Sequence, residues 1–184
     1  MTFDFPGYPL IFVQKKPCND ASSHLHTEIY TFYSPVTKLK YVATAEYYEH
    51  NVYGIKFYAK KDRRSIYKYN KIVNKGDFGN IVMTVMRLIQ QIYERDDTAS
   101  FFFQGAGTVD SKSQRVEGFK NTQRYIVYSH IVGLKFGAVT FEHFSNDEVS
   151  GYLIVNRNCG ESVTERKDKI LKMLQDTYRE LSVI

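Results

Sequence analysis

Between residues 24 and 60 the chain has strand composition, with a two-residue rhythm over 52–60, and after Asp77 it follows a rhythm of three to four. Any fold for it must therefore supply a sheet first and a packed helix second. Residues 24–33 and 38–48 are rich in Tyr, Thr and Val and are separated by Ser34-Pro35, a turn signal. In 52–60, Tyr53, Ile55, Phe57 and Ala59 alternate with Lys56, Tyr58 and Lys60. Residues 65–73 continue the pattern after the turn Asp62-Arg63-Arg64, so four consecutive antiparallel strands are predicted.

The rhythm changes at Asp77, a candidate N-cap. Ile81, Val82, Val85, Leu88, Ile89, Ile92 and Tyr93 fall at helical spacing, closed by Asp96-Asp97. Ser100-Phe101-Phe102-Phe103 reads as a buried strand and Gly105-Ala106-Gly107 as a break. Residues 109–132 fit helix or strand; a helix over 114–130 is predicted. Residues 136–144 and 151–156 form a strand pair around Ser145-Asn146-Asp147. Ser162-x-x-Glu165 is a capping box opening a last helix, with Ile170, Leu171, Leu174, Tyr178 and Leu181 on one face.

The expectation is one α+β domain over 1–184 with a twisted, mainly antiparallel sheet. It has a meander at about 24–73, a helix–strand–helix–strand–strand run at about 77–156, and a helix at about 162–181.

The segment Val73-Asn74-Lys75-Gly76-Asp77, with Val82, Thr84 and Val85 after it, resembles a family of small proteins of uncharacterised role common in Bacteroidota and their phages. That resemblance covers roughly 65–157 and implies a strand, an Asn-x-Gly-Asp turn and a Thr-Val helix. A short strand (101–103), a helix with Arg115 or Arg124 beside Tyr125, and a last strand at 152–155 follow. The order of elements also resembles the acetyl-coenzyme-A-dependent N-acetyltransferase fold. This second resemblance implies coenzyme contacts at Lys75, Gly76, Gly79, Asn80 and Asn121, with Tyr125 or Tyr128 as general acid. The superfamily's Arg/Gln-x-x-Gly-x-Gly/Ala loop is not present, and Asp77 would repel phosphate at the helix start. The resemblance therefore implies the fold more than the activity.

The remaining chemistry is sparse. His24 and His26 stand two apart on a predicted strand, which puts both on one face, but no third ligand completes a metal set. Cys18 and Cys159 have no motif around them, no Gly-x-Ser-x-Gly elbow occurs, and Asp96-Asp97 reads as a helix end. Gln104-Gly105-Ala106-Gly107-Thr108 follows a strand as a phosphate cradle would, with Thr108 and backbone amides as its donors, but lacks the Lys-Ser/Thr of a P-loop.

Charge is the strongest local signal. The chain carries +5 overall. Lys56, Lys60, Lys61, Arg63, Arg64, Lys68, Lys71 and Lys75 face Asp62 alone between residues 52 and 75. With Tyr58, Tyr67 and Tyr69 interleaved, Lys56, Lys60, Lys61, Arg63, Arg64, Lys68 and Lys71 are candidate polyanion contacts. The 15 Tyr and 13 Phe, against no Trp, suit a surface that meets protein. No apolar run approaches the roughly 20 residues of a membrane span. Residues 1–16 carry Asp4, Pro6 and Pro9 where a leader peptide needs a basic start. A cytoplasmic interaction module without a cofactor is the expectation, contacting protein, a second copy or nucleic acid, with an acetyl-coenzyme-A-dependent acyltransferase as the rival.

Overall fold

A computed structural model describes residues 4–71, 76–109, 115 and 117–178. Among these residues seven strands form one sheet: β1 (Ile11–Pro17), β2 (His24–Ser34), β3 (Leu39–Tyr48), β4 (Val52–Ala59), β5 (Ser100–Gln104), β6 (Phe141–Asn146) and β7 (Gly151–Asn156). Their order is β1-β2-β3-β4-β5-β7-β6. Among the described residues only β4 and β5 run parallel, and every other pair is antiparallel. Three α-helices among the described residues accompany the sheet, α1 (Phe78–Arg95), α2 (Gln123–Lys135) and the C-terminal α3 (Val163–Thr177). The class is α+β, as the change of rhythm predicts, and no helix among the described residues is long and apolar enough to cross a membrane.

The alternation in β4 works as its pattern implies. Tyr53, Ile55 and Phe57 join the larger core, which α1 fills with Ile81, Val82, Val85, Leu88, Ile89 and Ile92. Val52 faces the other way, into a second core with Tyr48, Leu153, Val155, Ile170 and Met173. The capping box of α3 is present: Glu165 N donates to Ser162 Oγ at 3.2 Å, and Ser162 N donates to Glu165 Oε2 at 3.2 Å.

Three expectations are corrected. The fourth meander strand is β1, at the N-terminal edge; residues 65–71 are instead a run of turns, and 72–73 lie outside the described residues. The reason is topological: β5 is parallel to β4, so the chain needs a crossover here and not a hairpin. The helix predicted over 114–130 begins only at Gln123, where Thr122 caps it, and Phe136 is its C-cap and not a strand residue. His24 and His26 lie on opposite faces of the sheet. The register shifts between them, so His24 stacks on Tyr48 and His26 on Tyr47, with ring centroids 4.9 and 4.8 Å apart.

Candidate functional site

β4 and β5 pair over only three positions, Val52↔Ser100, Tyr53↔Phe101 and Gly54↔Phe102. Beyond them β4 stays with β3 as far as Ala59, and β5 stays with β7 as far as Gln104. The two strands therefore part. Gly54 marks the point of divergence: a Cβ there would lie 2.7 Å from Phe102 Cζ, so the aromatic ring occupies the space a side chain would take.

The opening is a cavity of about 540 Å³ lined from both faces of the sheet. Val82, Val85, Met86, Phe57 and Phe103 supply its apolar wall on the α1 side. Phe102, Leu171, Leu174 and Tyr178 supply it on the α3 side. Its charged lining is wholly basic: Lys56, Arg124 and Lys167, with no acidic side chain among the described residues. A concave, mostly apolar pocket with few convergent polar groups is the usual form of a small-molecule site.

The three cations differ in what balances them. Lys56 Nζ pairs with Glu46 Oε2 at 2.6 Å. Burial works against the Lys56 charge, but Glu46 outweighs it and holds the ammonium above its ordinary value. Glu46 also accepts from the Tyr48 hydroxyl at 2.8 Å, and that hydroxyl meets the hydroxyl of Tyr178. Lys167 pairs with Asp168 at 3.1 Å and lies 5.4 Å from the centre of the Phe144 ring. Arg124 has no ion pair within 4.0 Å among the described residues, and burial pulls its guanidinium below the ordinary value.

The start of α2 fixes Arg124. Thr122 Oγ1 accepts from Tyr125 N at 3.2 Å and donates to Gly105 O at 2.9 Å. Gly105 leaves room for this turn, since a Cβ there would be 2.6 Å from Thr122 Oγ1. The loop after β5 is not an open phosphate cradle. Thr108 N is already taken by Glu117 Oε2 at 3.0 Å and Gly105 N by Ser150 O at 2.8 Å, while Glu117 Oε1 accepts from Gln123 N, the first amide of α2, at 2.9 Å.

The predicted coenzyme residues do not line the cavity. Gly76 is an exposed turn residue with φ +83°, and Lys75 lies outside the described residues. Gly79 is covered by Phe5, whose ring would be 2.5 Å from a Cβ. Asn80 Nδ2 donates to Asp77 Oδ1 at 2.9 Å, and its Oδ1 accepts from Gly7 N at 3.2 Å. Asn121 is held near the β6–β7 turn by its N–H to Asp147 O at 2.8 Å. Asp77 occupies the N-cap position of α1 but makes no capping bond; it is 2% exposed and bound by other side chains. Of the two tyrosines weighed as a general acid, Tyr128 lines the cavity, whereas Tyr125 donates to Asp147 Oδ1 at 2.7 Å.

The predicted polyanion residues are divided. Lys60, Lys61 and Arg63 gather with Lys38 and Lys40 around a shallow hollow. Arg64 is exposed nearby in sequence, and Lys56 turns into the cavity. Lys68 is stacked between Tyr58 and Tyr69, 5.0 and 4.9 Å from their centres, and Lys71 pairs with Asp62 at 3.0 Å. Sequence reading missed Lys38 and Lys40, which are remote in the chain and reach the hollow by the pairing of β3 with β4. Lys167, Leu174 and Tyr178 were also missed as site residues, because their only sequence signal was that of a packing helix. No protein-family model, curated protein or solved structure matches this chain.

Proposed function

We propose that this protein is a non-enzymatic binding module that holds a small, mainly apolar molecule in the cleft between β4 and β5. The divergence of the parallel pair β4 and β5, which leaves about 540 Å³ lined from both faces, carries this reading. The test is a titration with N-phenyl-1-naphthylamine, a neutral dye that brightens in apolar sites. Saturable binding by the folded chain supports the cleft as a ligand site, and no enhancement up to the dye's solubility limit sinks it.

A second contact region is supported by the hollow of Lys38, Lys40, Lys60, Lys61 and Arg63, five basic side chains exposed together at one end of β3 and β4. It suits nucleic acid or an acidic protein surface, and it carries forward the basic part of the expected interaction face. Binding of single-stranded RNA there is expected to fall steeply with salt in an anisotropy assay, and no binding at low salt would remove this second region.

The acyltransferase reading draws support from the same cleft, since a coenzyme arm needs such an opening. Against it stand the internal carboxylates at the two neighbouring helix starts, Asp77 beside α1 and Glu117 on the first amide of α2. Each takes a place where an incoming phosphate would seek positive ends. A saturable thermal shift with acetyl-coenzyme A would restore the enzyme reading; no shift at millimolar coenzyme removes it.

A further inference from the structure

Resting on the cleft as a ligand site, the structure also indicates the charge of what it takes. Arg124 and Tyr128 are four residues apart on α2, so both project from one face of the helix, and both line the cavity. The Arg124 guanidinium is tethered on one side, with Nη2 donating to Lys71 O at 2.8 Å. Its Nε and Nη1 donate to nothing among the described residues. Tyr128 is held by three rings, those of Phe57, Phe78 and Phe103, with centroids 6.0, 6.2 and 5.9 Å away. This grip fixes where its hydroxyl points, and that hydroxyl makes no hydrogen bond among the described residues.

We infer that the cleft binds an organic monocarboxylate with an apolar body, its carboxylate seated on Arg124 and the hydroxyl of Tyr128. A guanidinium is flat and presents parallel N–H groups that match a carboxylate's two oxygens. Nη2 of Arg124 gives one N–H to Lys71 O and keeps a second, which runs parallel to an N–H of Nη1 or of Nε; among the described residues nothing takes that pair, and it is the kind of fork that accepts a carboxylate. The Tyr128 hydroxyl adds a third donor, and burial keeps it protonated, with a pKa pushed up to about 12. Of the cations lining the cavity, Lys56 pairs with Glu46 and Lys167 with Asp168, whereas Arg124 has no ion pair within 4.0 Å among the described residues and feels Glu117 only from farther away. Beyond Arg124 the wall is Val82, Val85, Met86 and Phe103, which accept an alkyl or aryl body and offer it no polar partner.

The experiment compares octanoate with 1-octanol as displacers of N-phenyl-1-naphthylamine from the full chain. The two share a chain length and differ in the head group. Octanoate is expected to displace the dye at a concentration about tenfold below that of octanol, from a charge-assisted contact in a dry site. In Arg124→Gln the advantage of octanoate disappears while octanol is unchanged within about twofold; Tyr128→Phe loses part of the advantage. Arg124→Lys, which keeps the charge without the fork, retains less than half of it and shows that a folded site remains. If the dye binds but octanoate has no advantage, or if Arg124→Gln weakens both displacers equally, the anion assignment is overturned while the cleft stands. If the dye does not bind at all, the cleft reading itself fails.

Discussion

The hydroxyl of Tyr8 donates a 2.7 Å hydrogen bond to Oδ2 of Asp77, across 69 residues of sequence. The same oxygen accepts from Ser34 Oγ, so the entry segment, the end of β2 and the start of α1 meet on one buried carboxylate. The entry segment is fastened further by Tyr8 N to Thr84 Oγ1 at 2.8 Å. Gly7 allows that approach with φ +64°, where a Cβ would lie 3.1 Å from Thr84 N.

Removing this carboxylate should cost more than removing one of its donors. Asp77→Ala strands the hydroxyls of Tyr8 and Ser34 and is expected to lose about 2 kcal/mol in urea unfolding at pH 7. Tyr8→Phe leaves Ser34 and Asn80 on the carboxylate and should lose about 1 kcal/mol. Equal losses, or none, would show that the entry segment does not depend on Asp77.

A second buried carboxylate predicts the acid limb. Glu28 is 5% exposed and accepts from Arg95 Nη2 at 2.8 Å and from the Tyr30 hydroxyl at 2.6 Å. Burial pushes its carboxyl upward, but Arg95 and Tyr30 outweigh burial and hold it below the usual range. The stabilisation is therefore complete above the unfolded value of about 4.5 and is lost as pH falls through the lower folded value. Arg95 is half exposed, so solvent screens the pair, and Arg95→Met should cost about 2 kcal/mol at pH 7, less than a fully buried pair. The same variant should show a shallower loss of stability between pH 5 and 3 (roughly the range of carboxylate titration) in pH-dependent urea unfolding.

At the alkaline end the sign reverses. Burial raises Tyr53 and Tyr128 from 10.0 to about 12, and burial with the bond to Asp147 does the same for Tyr125. The unfolded chain ionises first, so these groups stabilise the fold below pH 10 and lose that contribution as pH rises toward 12. Absorbance at 295 nm should show part of the tyrosine ionisation appearing only with the loss of circular dichroism. Tyr128→Phe should flatten the fall; an unchanged slope would mean that this phenol is open to solvent.

The parts of the fold legible in sequence are those whose two faces meet different surroundings. β2, β3, β4 and α1 each turn an apolar side to a core, and their rhythm announces it. β1 is exposed along its whole length, so Ile11, Phe12 and Val13 carry no alternation to read. Residues 65–71 have strand composition, yet the parallel pairing of β4 with β5 turns them into a crossover, and that pairing is visible only in three dimensions. The lining of the cleft was not legible: Gly76, Gly79 and Asn80, which drew attention at the start of α1, are not part of it. That lining comes from β4, α1, β5, α2, β6, β7 and α3, which only the tertiary fold brings together; the helix expected over 114–130 already set Arg124 and Tyr128 four residues apart, but nothing in the sequence said what they face.

Gly54 offers the most direct handle on the cleft. Its missing side chain makes room for the Phe102 ring, whose Cζ, Cε1 and Cε2 would be 2.7, 3.0 and 3.3 Å from a Cβ. Phe102 also meets the Tyr48 ring edge-on with centroids 5.6 Å apart, so the ring is bounded on that side. A side chain at 54 therefore pushes Phe102 toward the cavity that it lines. Gly54→Val should lower the affinity for N-phenyl-1-naphthylamine at least about tenfold and destabilise the fold by about 1–3 kcal/mol through overpacking. Phe102→Ala in the same chain relieves the clash, and Gly54→Val/Phe102→Ala should recover most of the dye affinity. The two substitutions would then be strongly non-additive, as expected of residues in contact. Additive losses would instead mean that Val at 54 acts on the strands themselves, and that the gap between β4 and β5 does not depend on the ring of Phe102.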